Sequence, residues 1–137
     1  LELLKFYDIQ TNDKNIVIAG RSRLVSAPLA KILSSKDYDG NVTVIHSKTT
    51  NQKLYTQSAD IFISAIGSPK VYDYSYINEG ATVIDIGISS VENKTYGDID
   101  TDNLDQVVNA RAPYPGGVGP ITVSALFLNL SNLIKFN

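Results

Sequence analysis

The chain of 137 residues contains no cysteine, no methionine and no tryptophan, and only one histidine. Without cysteine, disulfides and thiolate metal sites are excluded, and the composition fits a reducing, cytoplasmic compartment. Methionine is missing even at position 1, and the chain opens "LELLKFYDIQ" already in helical rhythm. The expectation is a piece of a longer protein, with an N-terminal catalytic domain ahead of Leu1. Basic residues are also short: 12 Lys and Arg against 14 Asp and Glu give a net charge of −2, which leaves no footprint for nucleic acid. No apolar run is read as reaching membrane-spanning length and no signal peptide is visible, so no membrane partner is expected. The single histidine, His46, closes an apolar run. There a packing or capping role outweighs a catalytic one, despite the side chain's titration near neutrality.

What is present describes one ordinary domain, 43% hydrophobic and 19% charged, spanning residues 1–137. "LELLKFYDI" (1–9) reads as a helix. "NIVIAG", "NVTVIH", "IFISAIG" and "ATVIDIGI" read as buried strands, apolar throughout rather than alternating, so that both faces of the sheet are covered. Between them "LVSAPLAKILSS" reads as a helix with Pro28 in its first turn, and "TTNQKLYTQSAD" as a short helix capped by Thr49 or Thr50. "SPKVYDYSYINEG" is irregular with one helical turn, and "TYGDID" is a turn or short strand. "TDNLDQVV" is a small helix capped by Thr101 or Asp102, and a last helix covers 120–136. Strands alternating with helices in this way specify an α/β fold, a doubly wound parallel sheet.

In such a sheet ligands sit at the carboxyl ends of the strands, where the connections reverse. The first strand-to-helix turn is "GRSRLVSAP". Of the dinucleotide fingerprint G-x-G-x-x-G it keeps only Gly20, with Ser22 and Val25 at the other two glycine positions. Alone, this is equally a tight turn into a helix. The second strand ends in "HSKTT", with no carboxylate to accept from ribose hydroxyls. Ser47, Lys48 and Thr49, with Arg21 on the neighbouring loop, suit a 2′-phosphate instead. If a dinucleotide binds, these residues favour NADP over NAD, with NAD still possible. Asp98 and Asp100 in "YGDID" are better read as turn formers than as metal ligands or acid–base groups, because nothing nearby adds ligands. No metal site is expected. Tyr72, Tyr74 and Tyr76 read as a packing or partner surface.

Four motifs stand in order: "GRSRLVSAP", "HSKT", "AIGSP" and "PGGVGPIT", with "VIDIGI" and "GDID" between the last two. Together they resemble the NAD(P)-binding domain of the methylenetetrahydrofolate dehydrogenase/cyclohydrolase family, over essentially the whole chain. The resemblance implies a Rossmann-like domain and an enzyme that oxidises methylenetetrahydrofolate with NADP, then hydrolyses methenyltetrahydrofolate to formyltetrahydrofolate. It places Gly20, Arg21, Ser22, Ser47 and Lys48 at the adenosine end and its phosphate. Gly67, Ser68 and Pro69 fall beside the ribose and pyrophosphate. Gly87, Ile88, Gly117, Gly119 and Thr122 border the nicotinamide. Gly116, Gly117 and Gly119 would bring bare backbone close to the flat ring, and Pro120 suits the first helical turn.

This sequence departs from the family pattern at Ser26, where glycine is usual, at Ala112 and Tyr114 before the glycine loop, and at Ser89 after "GI". Ser26 is expected to move its helix slightly from the cofactor without abolishing binding. The family's general acid–base lysine lies in a Tyr-x-x-x-Lys motif, and none of the eight tyrosines here has lysine four residues on. The chain therefore contributes no catalytic residue of its own and is expected to bind NADP without turnover. The folate would be shared with a preceding domain, on which helices 1–9 and 120–136 would pack, and the resemblance implies a homodimer. Two rivals stand beside this reading: a Rossmann domain of another NADP-dependent dehydrogenase, against which "PGGVGPIT" argues, and a non-catalytic nucleotide-binding module.

Overall fold

The computed structural model describes residues 1–135. Five parallel strands form the sheet: β1 (Asn15–Ala19), β2 (Asn41–Ile45), β3 (Ile61–Ser64), β4 (Thr82–Asp85) and, counted past a hairpin, β7 (Ala110–Ala112). Their spatial order is β2-β1-β3-β4-β7. From β1 the chain moves outward to β2, then returns across β1 to β3. The connections reverse at β1, which puts the ligand crevice of such a sheet at the carboxyl ends of β1 and β3.

Side chains alternate between two cores. Ile16, Ile18, Ile61, Ile63 and Ile84 face one way and pack with Leu4 of α1 (Glu2–Phe6) and Leu33 of α2 (Ser26–Leu33). Val17, Ala19, Phe62 and Val83 face the other way, against Tyr72, Ile77, Ile99 and Leu104. Phe62 and Tyr72 meet edge to face at 5.0 Å and Tyr72 meets Tyr76 at 5.4 Å, so two of the three tyrosines are core packing, while Tyr74 is exposed. Covering on both faces is what the continuous apolar strands predicted. The exception is β2, whose Thr43 and Val44 are exposed because it is an edge strand with a neighbour on one side only.

Several local expectations are corrected. The first helix is five residues, not nine, and Asp8 beyond it takes a positive φ of 51°. Short α3 (Gln52–Thr56) has no side-chain cap; Asn51 precedes it in the left-handed region, and the Thr49 hydroxyl accepts from the His46 N–H instead. The expected helix at 101–108 is a single 3-10 turn, Leu104–Gln106, preceded by Asn103 and not capped by a side chain. A hairpin, β5 (Ser89–Val91) with β6 (Lys94–Tyr96), turns through Glu92 and Asn93, both left-handed as two-residue hairpins require. β7 carries no strand signal in the sequence, because Ala-Arg-Ala has no β-branched residue; its pairing with β4 supplies the strand.

The last helix, α4, runs Val118–Lys135, beginning two residues earlier than expected; Phe136 lies outside the described residues. Pro120 falls in its first turn, where the missing N–H costs nothing. Over its 18 residues the mean hydropathy is 1.2, and by length and composition alone the helix could cross a membrane. That corrects the reading of no such run: Thr122, Ser124, Asn129, Ser131 and Asn132 break the continuous stretch without lowering the average enough. None of α4 is buried; it lies against α1, and Leu126, Phe127, Leu130, Leu133 and Ile134 are exposed.

Candidate functional site

At the carboxyl edge of the sheet the backbone ties four loops together. The Gly20 N–H donates to the Ile45 carbonyl at 2.9 Å, the Ala65 N–H to Ala19 at 2.8 Å, and the Ile86 N–H to Ser64 at 2.8 Å. Register pairs Ala19 with Ile45, so the segments carrying Arg21 and Ser47 leave adjacent strands side by side. Gly20 has φ +116°, and a Cβ there would run into the Ala65 carbonyl. Glycine at this position is thus required by the fold itself, before any ligand is considered.

The first loop is shaped by Ser22. Its hydroxyl oxygen accepts the N–H groups of Val25 at 3.1 Å and Ser26 at 3.3 Å, at the start of α2. Its hydrogen remains available to an acceptor. Arg21 is exposed and, among the described residues, has no carboxylate partner. Ser26, where the family pattern has glycine, is fully buried; among the described residues its hydroxyl oxygen is the one buried side-chain polar atom without a hydrogen bond.

The second loop is closed by His46 and Thr49. The His46 N–H donates to the Thr49 hydroxyl at 3.0 Å, its carbonyl accepts the Thr49 N–H at 2.7 Å, and its Nδ1 accepts the Lys48 N–H at 3.2 Å. Ser47 and Lys48 stand exposed at the tip. The turn is anchored in the core: Gln52 donates to the His46 carbonyl at 3.2 Å and accepts from the buried Tyr72 hydroxyl at 2.7 Å. Burial, with the charge of Asp98 and then Tyr76 adding to it, pushes the Tyr72 phenol up to about 12.

The third and fourth loops depend on two buried aspartates whose roles the sequence did not disclose. Asp98 is fully buried, and its carboxylate accepts four hydrogen bonds: Ser64 hydroxyl at 2.7 Å, and the N–H groups of Ile66 at 2.7 Å, Gly67 at 2.9 Å and Ser68 at 3.0 Å. Asp85 accepts the N–H groups of Gly87 at 3.1 Å, Asp98 at 3.2 Å and Ile99 at 3.0 Å. Burial raises the Asp85 carboxyl above its ordinary value, aided by the Asp98 charge and opposed by the three N–H donors. The two segments interlock. A Cβ on Gly87 would strike the Asp98 carboxylate, and one on Gly97 would strike that of Asp85. Asp98 is therefore more than a turn former. The available signal was an acid inside the apolar run "ATVIDIG" and another beside glycine in "YGDID", since a buried carboxylate requires donors.

This arrangement brings Gly67, Ser68 and Pro69 beside Gly87 and Ile88; a Cβ on Gly67 would stand 3.7 Å from the Ile88 carbonyl oxygen. The N–H groups of Gly67 and Ser68 donate inward to Asp98, so their remaining face offers carbonyls and side chains. The last loop contributes Gly116 (φ +95°) and Gly117, whose N–H donates to the Pro113 carbonyl at 2.9 Å and which has no room for a Cβ against it. Gly119 meets nothing within 4 Å, so no neighbour in this chain demands glycine there. Thr122 is drawn away from the loops: its hydroxyl donates to the Val118 carbonyl at 2.9 Å. It also lines a largely apolar groove of about 620 Å³ between α1 and α4, with Leu29, Ile63, Ile86 and Leu126. A second cavity of about 700 Å³ lies over β3, β4 and β7, walled by the segment after α1 and touched by Leu3 of α1 and Ile121 of α4. Both spaces are half-open and adjoin the terminal helices, and the first-named also touches Ile86 while the second touches Gly116 and Gly117 of the last loop.

The entire chain, residues 1–137, matches the family described as "Tetrahydrofolate dehydrogenase/cyclohydrolase, NAD(P)-binding domain". Curated relatives include the "Bifunctional protein FolD" of Acholeplasma laidlawii, 43% identical over 128 residues, covering 93% of this chain and 46% of the relative. That of Picrophilus torridus is 39% identical over 136 residues, covering 99% and 48%. The chain thus spans about half the length of the curated relatives it matches. Among solved structures, a 5,10-methylenetetrahydrofolate dehydrogenase from the silkworm Bombyx mori superposes with a TM-score of 0.88 at 37% identity, covering 93% of this chain and 46% of its own. The N5,N10-methylenetetrahydrofolate dehydrogenase-cyclohydrolase (FolD) of Trypanosoma brucei, complexed with NADP cofactor and inhibitor, gives 0.88 at 33% identity, covering 98% and 48%. A doubly wound sheet with its loops gathered at the β1–β3 switch point, matched over its whole length, belongs to the tetrahydrofolate dehydrogenase/cyclohydrolase family as its NAD(P)-binding domain.

Proposed function

We propose that this chain is the cofactor-binding part of an enzyme that oxidises methylenetetrahydrofolate with NADP and hydrolyses methenyltetrahydrofolate. The observation that carries the cofactor choice is the end of β2: Ser47 and Lys48 stand exposed beside the loop of Arg21, with no carboxylate in "HSKTT". A 2′-phosphate finds cations and hydroxyls there, where NAD-binding sheets place an acid. Gly20, Arg21, Ser22, Ser47 and Lys48 hold the adenosine end. Gly67, Ser68 and Pro69 follow the ribose and pyrophosphate, and Gly87, Ile88, Gly117 and Gly119 border the nicotinamide. Thr122 takes part through its backbone or after releasing Val118.

When bound, NADP supplies the hydride acceptor. This chain's residues bind it, orient it and exclude water from one side. The chain has no Tyr-x-x-x-Lys base, so the proton work belongs to the rest of the longer protein, and loss of a general acid–base group typically costs ~10²–10⁴-fold in rate. That remainder would share the folate and cover the exposed apolar residues of α4 and the two spaces beside α1, a patch of a kind that marks an interaction surface. A homodimer through this domain and a cytoplasmic location complete the reading.

Calorimetric titration of the 137-residue chain with NADP and NAD is the test. NADP should bind more tightly than NAD, with no dehydrogenase turnover. Equal affinities would overturn the 2′-phosphate assignment, and no binding of either would overturn the cofactor reading.

A further inference from the structure

Three consecutive N–H groups at the carboxyl end of a strand make a concave cluster of partial positive charge, the kind of nest that takes up an anion. Here Ile66, Gly67 and Ser68 form one, directly after β3, and the chain fills it from within. The Asp98 carboxylate occupies the position, at 2.7 to 3.0 Å from all three nitrogens, and the Ser64 hydroxyl supplies a fourth donor. Among the described residues Asp98 makes no ion pair, and the four donors to its carboxylate all belong to this one loop and its strand. Asp98 is itself held from behind, because the N–H groups of Asp98 and Ile99 donate to Asp85. Gly87 lies against the same carboxylate. A single side chain thus sets the shape of one loop and the spacing to the next.

We propose that Asp98 is a positioning residue for the dinucleotide: its carboxylate holds residues 66–68 against the 87–88 turn and so builds the wall for the cofactor's ribose and nicotinamide half. This rests on the cofactor reading above and extends it to a residue that touches no part of the ligand. The adenosine half belongs to other loops, 20–22 and 46–49, which donate no hydrogen bond to the Asp98 carboxylate. The effect of Asp98 is therefore confined to one half of the cofactor. A residue serving only general stability would show no such division.

The experiment compares NADP with adenosine 2′,5′-bisphosphate, which carries the adenosine half alone, on wild type, Asp98→Asn and Ser64→Ala. Asparagine keeps the volume but offers one acceptor oxygen and turns an NH₂ group toward N–H donors. Asp98→Asn should weaken NADP by about tenfold or more, and adenosine 2′,5′-bisphosphate by less than about twofold. Ser64→Ala removes one of the four donors and should weaken NADP by about two- to threefold, again sparing the half-ligand. If Asp98→Asn does not fold, as judged by circular dichroism, the Ser64→Ala comparison decides by the same division. Unchanged NADP affinity in the folded variants, or equal loss of both ligands, overturns the role of Asp98. A wild type that binds neither ligand overturns the cofactor reading instead.

Discussion

The carboxylate of Asp98 stands against the Cα of Gly87, and nothing larger than hydrogen fits between them. Gly87 has no positive φ, so its need for glycine is purely steric. Gly87→Ala should push Asp98 off the amides of residues 66–68. The expected cost is about 1–3 kcal/mol of stability, typical of overpacking. Urea denaturation of the variant checks it, and a midpoint equal to wild type would show that the carboxylate yields freely.

Gly119 offers the opposite case. A Cβ there meets nothing within 4 Å of this chain. Gly119→Ala should therefore stabilise the start of α4 by about 0.5 kcal/mol, since alanine loses less backbone entropy on folding. If bare backbone at this point faces the nicotinamide, the same variant binds NADP more weakly while melting later. Calorimetry and thermal denaturation on one sample separate the two demands.

The raised carboxyl of Asp85 makes a pH-dependent contribution whose sign is determined. Its folded pKa lies above the unfolded one, so folding favours the protonated form. The contribution is fully present below the ordinary aspartate range and is lost as pH rises through the folded value. Stability curves of wild type and Asp85→Asn, measured from pH 4 upward, should differ by a term that moves against wild type as pH rises. A difference moving the other way would mean that the three N–H donors outweigh burial.

Tyr72 connects the core to the loop after β2, since its hydroxyl donates to Gln52 and Gln52 donates to the His46 carbonyl. Tyr72→Phe removes that anchor and should cost about 1 kcal/mol. With the phenol raised to about 12, its contribution is whole below the unfolded value and is lost only as pH climbs through that range. Alkaline spectrophotometric titration should show one late phenol that the variant lacks.

The first four strands, the α/β class and the shelf at the β1–β3 edge were legible because each apolar run is local and its position in a parallel sheet follows from topology. "GRSRLVSAP" and "HSKT" announced their loops for the same reason: the hydroxyls and cations of a tip need no distant partner to be seen. β7 and the hairpin were not legible. Ala-Arg-Ala becomes a strand only beside β4, and Glu92-Asn93 is a weak turn signal until both residues adopt left-handed backbone.

The aspartates mark where local reading ends. In the sequence Asp98 is one acid among several in a turn-rich stretch, and Asp85 one polar residue in a strand. Residue types along the chain determined that a doubly wound sheet would form, which loops would edge it, and that cations and hydroxyls would stand at the end of β2. Only the tertiary structure decided that Asp98 would face the amides of residues 66–68, across 30 to 32 positions of chain. The reason is desolvation: a carboxylate takes its meaning from the donors that gather around it once water has left, and those donors come from wherever the fold brings them.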